Sequence, residues 1–153
     1  MNQNSSEQTL ALTCDRYFTA WLAEQHISLA ASTYQTNRLL LIGRKDAERL
    51  GVFERRFERP MGLYVESDQV LWLATRYQLW RFVNGLAPGQ LEDGGGDRLY
   101  VPRQSWVTGD LDIHDLILDE QRQPLFVVTA LNGLATISPT HSCRPRWKPP
   151  FIS

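Results

Sequence analysis

The chain has 153 residues, 42% hydrophobic and 22% charged, which fits one domain with a real core and excludes wholesale disorder. Its formal net charge of -1 leaves no global basic footprint for nucleic acid. No stretch approaches the roughly 20 apolar residues of a membrane-spanning helix, and no secretory signal pattern opens the chain, so we expect a cytoplasmic protein with no nucleic-acid and no membrane partner.

Residues 1–9 are polar and aperiodic and read as a flexible tail. Residues 10–26 read as a short N-terminal α-helix. From about Leu12 to Gln25, Tyr17, Phe18, Trp21 and Leu22 recur at helical spacing, and Thr13 or Asp15 can cap the start. Such an aromatic stripe is a packing face, fit to shield the edge of a neighbouring sheet. Cys14 and Cys143 are far apart and neither has a CxxC partner, so neither a disulfide framework nor a zinc ribbon is expected.

After His26 the period changes to that of strands. Residues 27–33 and 38–43 flank a turn at Tyr34-Gln35-Thr36-Asn37, and residues 52–57 read as another strand. A clearer meander comes next, with strands at 61–66, 70–75 and 78–83 joined at Ser67-Asp68-Gln69 and Arg76-Tyr77. Residues 86–96, with Pro88, Gly89 and Gly94-Gly95-Gly96, are a loop. Its acids do not match a calcium-loop spacing. A second meander takes residues 114–119, 125–129 and 133–137, while residues 98–101 form a short extended piece before Pro102.

The stretch 102–120, PRQSWVTGDLDIHDLILDE, stands out because Asp110, Asp112 and His114 fall on one face of an extended segment and Leu111 and Ile113 on the other. Those three can supply a divalent metal site, two hard oxygens beside an imidazole. An aspartate beside the histidine, Asp115 included, can instead make a general base. A third reading is a structural tie, in which Asp110 and Asp112 accept backbone N–H bonds in a turn begun by Thr108-Gly109 and His114 donates to a carbonyl. Further candidate ligand-binding residues are Arg103, Trp106, Arg76, Tyr77 and Tyr34, the first two beside the loop and the others at hairpin turns. Tyr100 joins Trp106 as a candidate ring platform, whereas Trp72, Trp80, Phe82 and Phe126 fit packing between sheets. No GxSxG elbow, P-loop, HExxH helix or dinucleotide fingerprint is present, so no catalytic residue is assigned.

The two meanders resemble each other. Aligning Met61-Gly62-Leu63 with His114-Asp115-Leu116, and residues 71–75 with 125–129, keeps every apolar position apolar; Thr33, Thr75 and Thr129 then recur at a period typical of β-propeller blades, roughly 40 to 50 residues. The fold class is therefore all-β: about two to three propeller-type antiparallel meander blades over residues 27–153, an incomplete ring, with a short N-terminal helix. Unclosed blades expose strand edges, which invites self-association through them.

The words Thr33-Tyr34-Gln35, Arg59-Pro60-Met61-Gly62-Leu63, Tyr77-Gln78-Leu79-Trp80-Arg81-Phe82, Asp97-Arg98-Leu99-Tyr100-Val101-Pro102, Thr108-Gly109-Asp110-Leu111-Asp112-Ile113-His114-Asp115 and Trp147-Lys148-Pro149-Pro150-Phe151-Ile152-Ser153 resemble, in that order, a bacterial family of propeller-like proteins carrying a domain of unknown function. The resemblance implies the N-terminal portion of a larger propeller and implies no activity. It departs from the family where the resemblance implies an Asn-Thr opening and a cysteine within the strand after Thr129; this chain reads Val128-Thr129-Ala130-Leu131-Asn132-Gly133-Leu134-Ala135 there. The leading expectation is a binding module for a ligand or protein partner. The alternatives are a metal-dependent hydrolase or lactonase using Asp110, Asp112 and His114, and a truncated fragment without independent function. No cofactor is expected with certainty; a divalent ion belongs to the hydrolase reading alone.

Overall fold

The computed structural model describes residues 12–93, 95–137 and 143–145, the last three by backbone alone. The expected tail at 1–9, the turn around His141, and Arg146 and Lys148 lie outside the described residues. Helix α1 spans Arg16–Gln25. It begins later than its apolar pattern because Asp15 is the N-cap, its carboxylate accepting the Tyr17 N–H at 2.8 Å, and it ends on His26 in the left-handed conformation. The aromatic stripe is only partly a packing face: Leu22 is buried, while Tyr17 and Trp21 stay exposed.

Three antiparallel sheets succeed the helix in chain order. The first holds β1 (Leu29–Thr33), β2 (Arg38–Arg44) and β3 (Leu50–Arg56). The second holds β4 (Leu63–Ser67), β5 (Val70–Ala74), β6 (Gln78–Asn84) and β7 (Tyr100–Val107), and the third β8 (Ile113–Leu118), β9 (Pro124–Val128), β10 (Gly133–Ile137) and β11 (Cys143–Pro145). Every neighbouring pair is antiparallel and sequential, the meander expected from the short polar turns. The mostly β architecture of antiparallel meander sheets with a short helix and, among the described residues, no closed ring is therefore as the sequence reading has it.

One strand ran unseen through a proline. β7 reaches Val107, past the expected end at Val101, because Pro102 sits opposite Phe82 beside a bulge between Arg81 and Phe82. The bulge lets the ladder pass a residue that has no N–H to give. Consequently residues 102–120 are two things, the last strand of the second sheet and the first of the third.

The second sheet is the middle layer. β5 reads Val70-Leu71-Trp72-Leu73-Ala74 without a polar break and is buried along its whole length, as a strand covered on both faces must be. Leu71 and Leu73 pack with Phe82 against Leu39 of the first sheet. On the other face, Val70, Trp72, Ala74 and Leu79 meet Ile113, Leu116, Phe126, Val128, Ala135 and Ile137 of the third. Each valine, leucine, isoleucine or phenylalanine among them that is removed from water stabilises the stack by roughly 1.5–3 kcal/mol, and each alanine by about 0.8 kcal/mol.

Ladder register sharpens the internal repeat. Leu63 pairs with Leu73 and Leu116 pairs with Phe126, so both strands of the second and third sheets share the offset that separates Arg59 from Asp112, 53 residues. The counterpart of Thr75 is thus Val128, and the expected marker Thr129 is out by one, lying in a 3-10 turn. An uninterrupted apolar run hides a one-residue slip, since every apolar position stays apolar. Thr33 aligns as expected: Thr33 pairs with Arg38 and Val128 with Gly133, and the turns between them end on Asn37 and Asn132, both left-handed. β1 is therefore the equivalent of β5 and β9, and among the described residues the first sheet has no equivalent of β4 or β8 along its β1 edge.

Candidate functional site

The loops at one end of the stack meet in a single polar rim. From the first sheet comes the turn at residues 34–37, from the second the entry at 58–59 and the hairpin at 76–77, and from the third the entry at 108–114 with Thr129. Backbone bonds fasten the turns to the strands that end beside them: Phe57 N–H donates to Asn37 O at 3.0 Å and Thr108 N–H to Tyr77 O at 2.8 Å.

Two arginines organise this rim in the same way. Arg59 lies over the Tyr34 ring at 4.8 Å, donates to its hydroxyl at 2.9 Å and to Asp112 Oδ1 at 3.2 Å. Its backbone N–H donates to Asn37 Oδ1 at 2.9 Å, which holds Arg59 at a left-handed φ of 46°. Arg76 lies over the Tyr77 ring at 4.8 Å and donates from Nε to Asp110 Oδ2 at 2.9 Å and from a terminal nitrogen to Glu58 Oε1 at 3.2 Å. Each unit is a tyrosine, an arginine stacked on it and an aspartate of the 108–112 loop that fixes the guanidinium.

The loop itself is not an extended strand. Gly109 and Asp112 both have left-handed φ, 76° and 53°, so the expected alternation of Asp110, Asp112 and His114 on one face is lost. Asp112 accepts from the Thr129 hydroxyl at 3.0 Å and stands 3.3 Å from His114 Nε2, while Asp110 turns to Arg76 instead. The three side chains do not form one donor set, and no group of three or more His, Cys, Asp or Glu among the described residues is placed to hold a metal ion. Asp110 and Asp112 are bonded by arginines and a threonine, and His114 stands against Asp112, in place of the backbone N–H groups and the carbonyl of the expected tie.

Residues 16–153 match the family defined as a domain of unknown function (DUF4915). The chain belongs to this family. No curated protein and no solved structure matches it.

On this family domain, the rim collects Tyr34, Arg76, Tyr77, Asp110, Asp112 and His114 out of the sequence-derived candidates. Asp115 is exposed one step beyond, its Oδ1 accepting the Leu116 N–H at 2.8 Å. Arg103 lies in mid β7 beside the bulge, exposed. Trp106 and Tyr100 are not a ring platform. Trp106, partly buried, stacks on Trp72 at 5.5 Å against the core, and Tyr100 donates to Asp68 O at 3.0 Å with its ring against the first-sheet side. Their strand positions account for this, since β7 continues through both.

Arg59, Glu58 and Thr129 were absent from the candidates although they organise the rim. The sequence signal for this position is its place just before an apolar entry residue, Arg59-Pro60 against Asp112-Ile113 at the same offset. The contacts set the electrostatics. The Thr129 hydroxyl, with His114 and Arg59 behind it, holds the Asp112 carboxyl below the usual carboxylate range. The hydrogen bonds that Arg76 donates to Asp110 and then to Glu58 raise its guanidinium above its already high value. No helix among the described residues is long and apolar enough to cross a membrane.

Proposed function

We propose that this domain is a binding module of propeller type whose rim, built from residues 34–37, 58–59, 76–77 and 108–114, recognises a protein segment. The observation that carries this reading is the doubled Tyr–Arg–Asp unit, Tyr34–Arg59–Asp112 beside Tyr77–Arg76–Asp110. Tyrosine and arginine dominate binding hot spots because they combine a large contact area with directed polar groups. Here both tyrosines are exposed yet held by stacking and ion pairs, so little side-chain freedom remains to be lost on binding. His114, also exposed, adds a donor or acceptor at the edge. The rim mixes charges of both signs, which suits a polar peptide better than a polyanion.

A displayed random-peptide library panned on the purified domain tests the reading. Peptides enriched on the natural sequence should lose at least tenfold in affinity on Tyr34→Ala and on Tyr77→Ala, and keep it on Val65→Ser, an exposed position in mid β4. Enriched peptides indifferent to both tyrosines would place recognition elsewhere and end the proposal, as would a library that yields no enrichment.

A further inference from the structure

The rim gathers its tyrosines and arginines from separate connections, residues 34–37, 58–59 and 76–77, but takes both aspartates of the doubled unit from one. Asp110 and Asp112 lie on the 108–112 segment with a single residue, Leu111, between them. Asp110 accepts from Arg76 at 2.9 Å and Asp112 from Arg59 at 3.2 Å, so the two units meet in this segment. Leu111 is its one apolar side chain. It is half-buried and packs against the cluster that joins the second and third sheets.

The backbone fits this division of labour. Gly109 and Asp112 are both left-handed, and the Leu111 N–H donates to Gly109 O at 3.1 Å, closing a three-residue turn centred on Asp110. Other bonds hold the two ends of the segment: Thr108 N–H donates to Tyr77 O at 2.8 Å, and the Thr129 hydroxyl donates to Asp112 O at 3.0 Å. Each of those bonds lies at one end, whereas Leu111 adjoins both aspartates. Magnitudes order the causes. Ion pairs whose carboxylates are as exposed as Asp110 (41%) and Asp112 (35%) contribute little by themselves. The apolar contact of a leucine with the core is the stronger anchor. The leucine therefore sets the aspartates, and the aspartates steady the guanidiniums that lie on the rings.

We infer that Leu111 is the positioning residue of the rim, holding Asp110 and Asp112 together and, through Arg76 and Arg59, presenting Tyr77 and Tyr34 as one two-point recognition surface. This rests on the reading of the rim as a peptide-binding surface and deepens it. The segment it fits makes two contacts at once, one to each tyrosine, because both points are fixed by the same anchor. Preorganisation of this kind lowers the cost of binding.

Fluorine NMR of the full chain labelled with fluorotyrosine tests the inference with no ligand present, the Tyr34 and Tyr77 signals being assigned by Tyr34→Phe and Tyr77→Phe. Leu111→Ala should shift and broaden both signals and leave that of Tyr17, on α1, in place. Leu111→Met keeps an apolar anchor and should restore both. Leu118→Ala is the control, because Leu118 is half-buried against the same core at the far end of β8 and its loss should move neither rim signal. Where Leu111→Ala does not fold, Leu111→Val gives the same pattern at smaller amplitude. Peptides enriched by panning on the natural sequence should weaken by about tenfold or more on Leu111→Ala and recover on Leu111→Met. Rim signals that ignore the shortened anchor, a change confined to Tyr77, or an equal change in Leu118→Ala would overturn the inference. Peptides that need both tyrosines yet ignore Leu111→Ala would overturn it too, while leaving recognition at the rim intact.

Discussion

Arg59 and Asp112 occupy the same point in successive repeats, both in the left-handed conformation, and they are paired with each other at 3.2 Å. The position precedes the first strand of its sheet, and a left-handed residue there turns the chain from the end of one sheet into the next. Neither residue is a glycine, so each carries a backbone cost offset by side-chain partners: Asn37, Tyr34 and Asp112 for one, Thr129, His114 and Arg59 for the other.

The two contributions at Arg59 separate by substitution. Its ion pair is about a third exposed, so the pair contributes only about 0.2–1 kcal/mol. Alanine removes those contacts and keeps the left-handed strain, while glycine removes both, and the strain is about 1–2 kcal/mol for a residue with a Cβ. Arg59→Gly should therefore be about 1 kcal/mol more stable than Arg59→Ala in urea unfolding. Equal midpoints for the two would show that the φ of 46° costs nothing.

Asp112 makes stability depend on pH. Its carboxyl is held below the ordinary value of 3.8, chiefly by the Thr129 hydroxyl, so its contribution is present above that value and disappears as acid protonates it in the folded state. Thr129→Val should lower the urea midpoint at neutral pH, and the difference from the natural sequence should shrink as the pH falls through the carboxylate range. A difference that is constant with pH would mean that Thr129 acts through packing or its bond to Asp112 O alone.

Hairpins, sheet order and the blade-like meander were legible because short polar turns punctuate apolar runs, and β10 begins and ends where its pattern does. What escaped reading involves geometry that residue types do not encode. Period-two alternation assigns Asp110, Asp112 and His114 to one face and cannot announce a left-handed Asp112. Pro102 looked like a strand end because the bulge that accommodates it depends on β6, its partner strand. Thr129 and Val128 are interchangeable to an apolar pattern, and only the ladder chooses between them. Arg59 reaches the rim through a fold that brings residues 34, 59 and 112 together from three different connections.

Close contact between the second and third sheets rests on Gly62. Its N–H donates to Ile113 O at 3.3 Å, and a Cβ there would lie 3.2 Å from the Asp115 Cα and 3.2 Å from Leu116 Cδ2. The first of those atoms is backbone and cannot swing aside. Gly62→Ala should cost about 1–3 kcal/mol through overpacking and should raise hydrogen exchange in both β4 and β8. Gly89→Ala provides the contrast: its cost of about 1 kcal/mol comes from a positive φ in open space, and the exchange of β4 and β8 should not change. Similar exchange patterns for the two variants would refute the contact argument.

Trp106 decides between a ring offered to a ligand and a ring committed to the core. It stacks on Trp72 at 5.5 Å with an interplanar angle of 14°, and Trp72 in turn donates from Nε1 to Glu66 Oε2 at 2.8 Å, with Arg122 also bonded to Glu66. Trp106 is partly buried, so deleting its ring removes packing from Trp72 beside the interface of the second and third sheets, and Trp106→Ala should cost about 1.5–3 kcal/mol. Part of that loss is the stacking itself, about 0.5–1.5 kcal/mol beyond the area buried. Trp106→Phe keeps a ring in place and should recover more than half of the loss. A platform residue would behave in the opposite way, with alanine nearly neutral for unfolding, so the urea midpoints of the two variants discriminate the roles without any ligand.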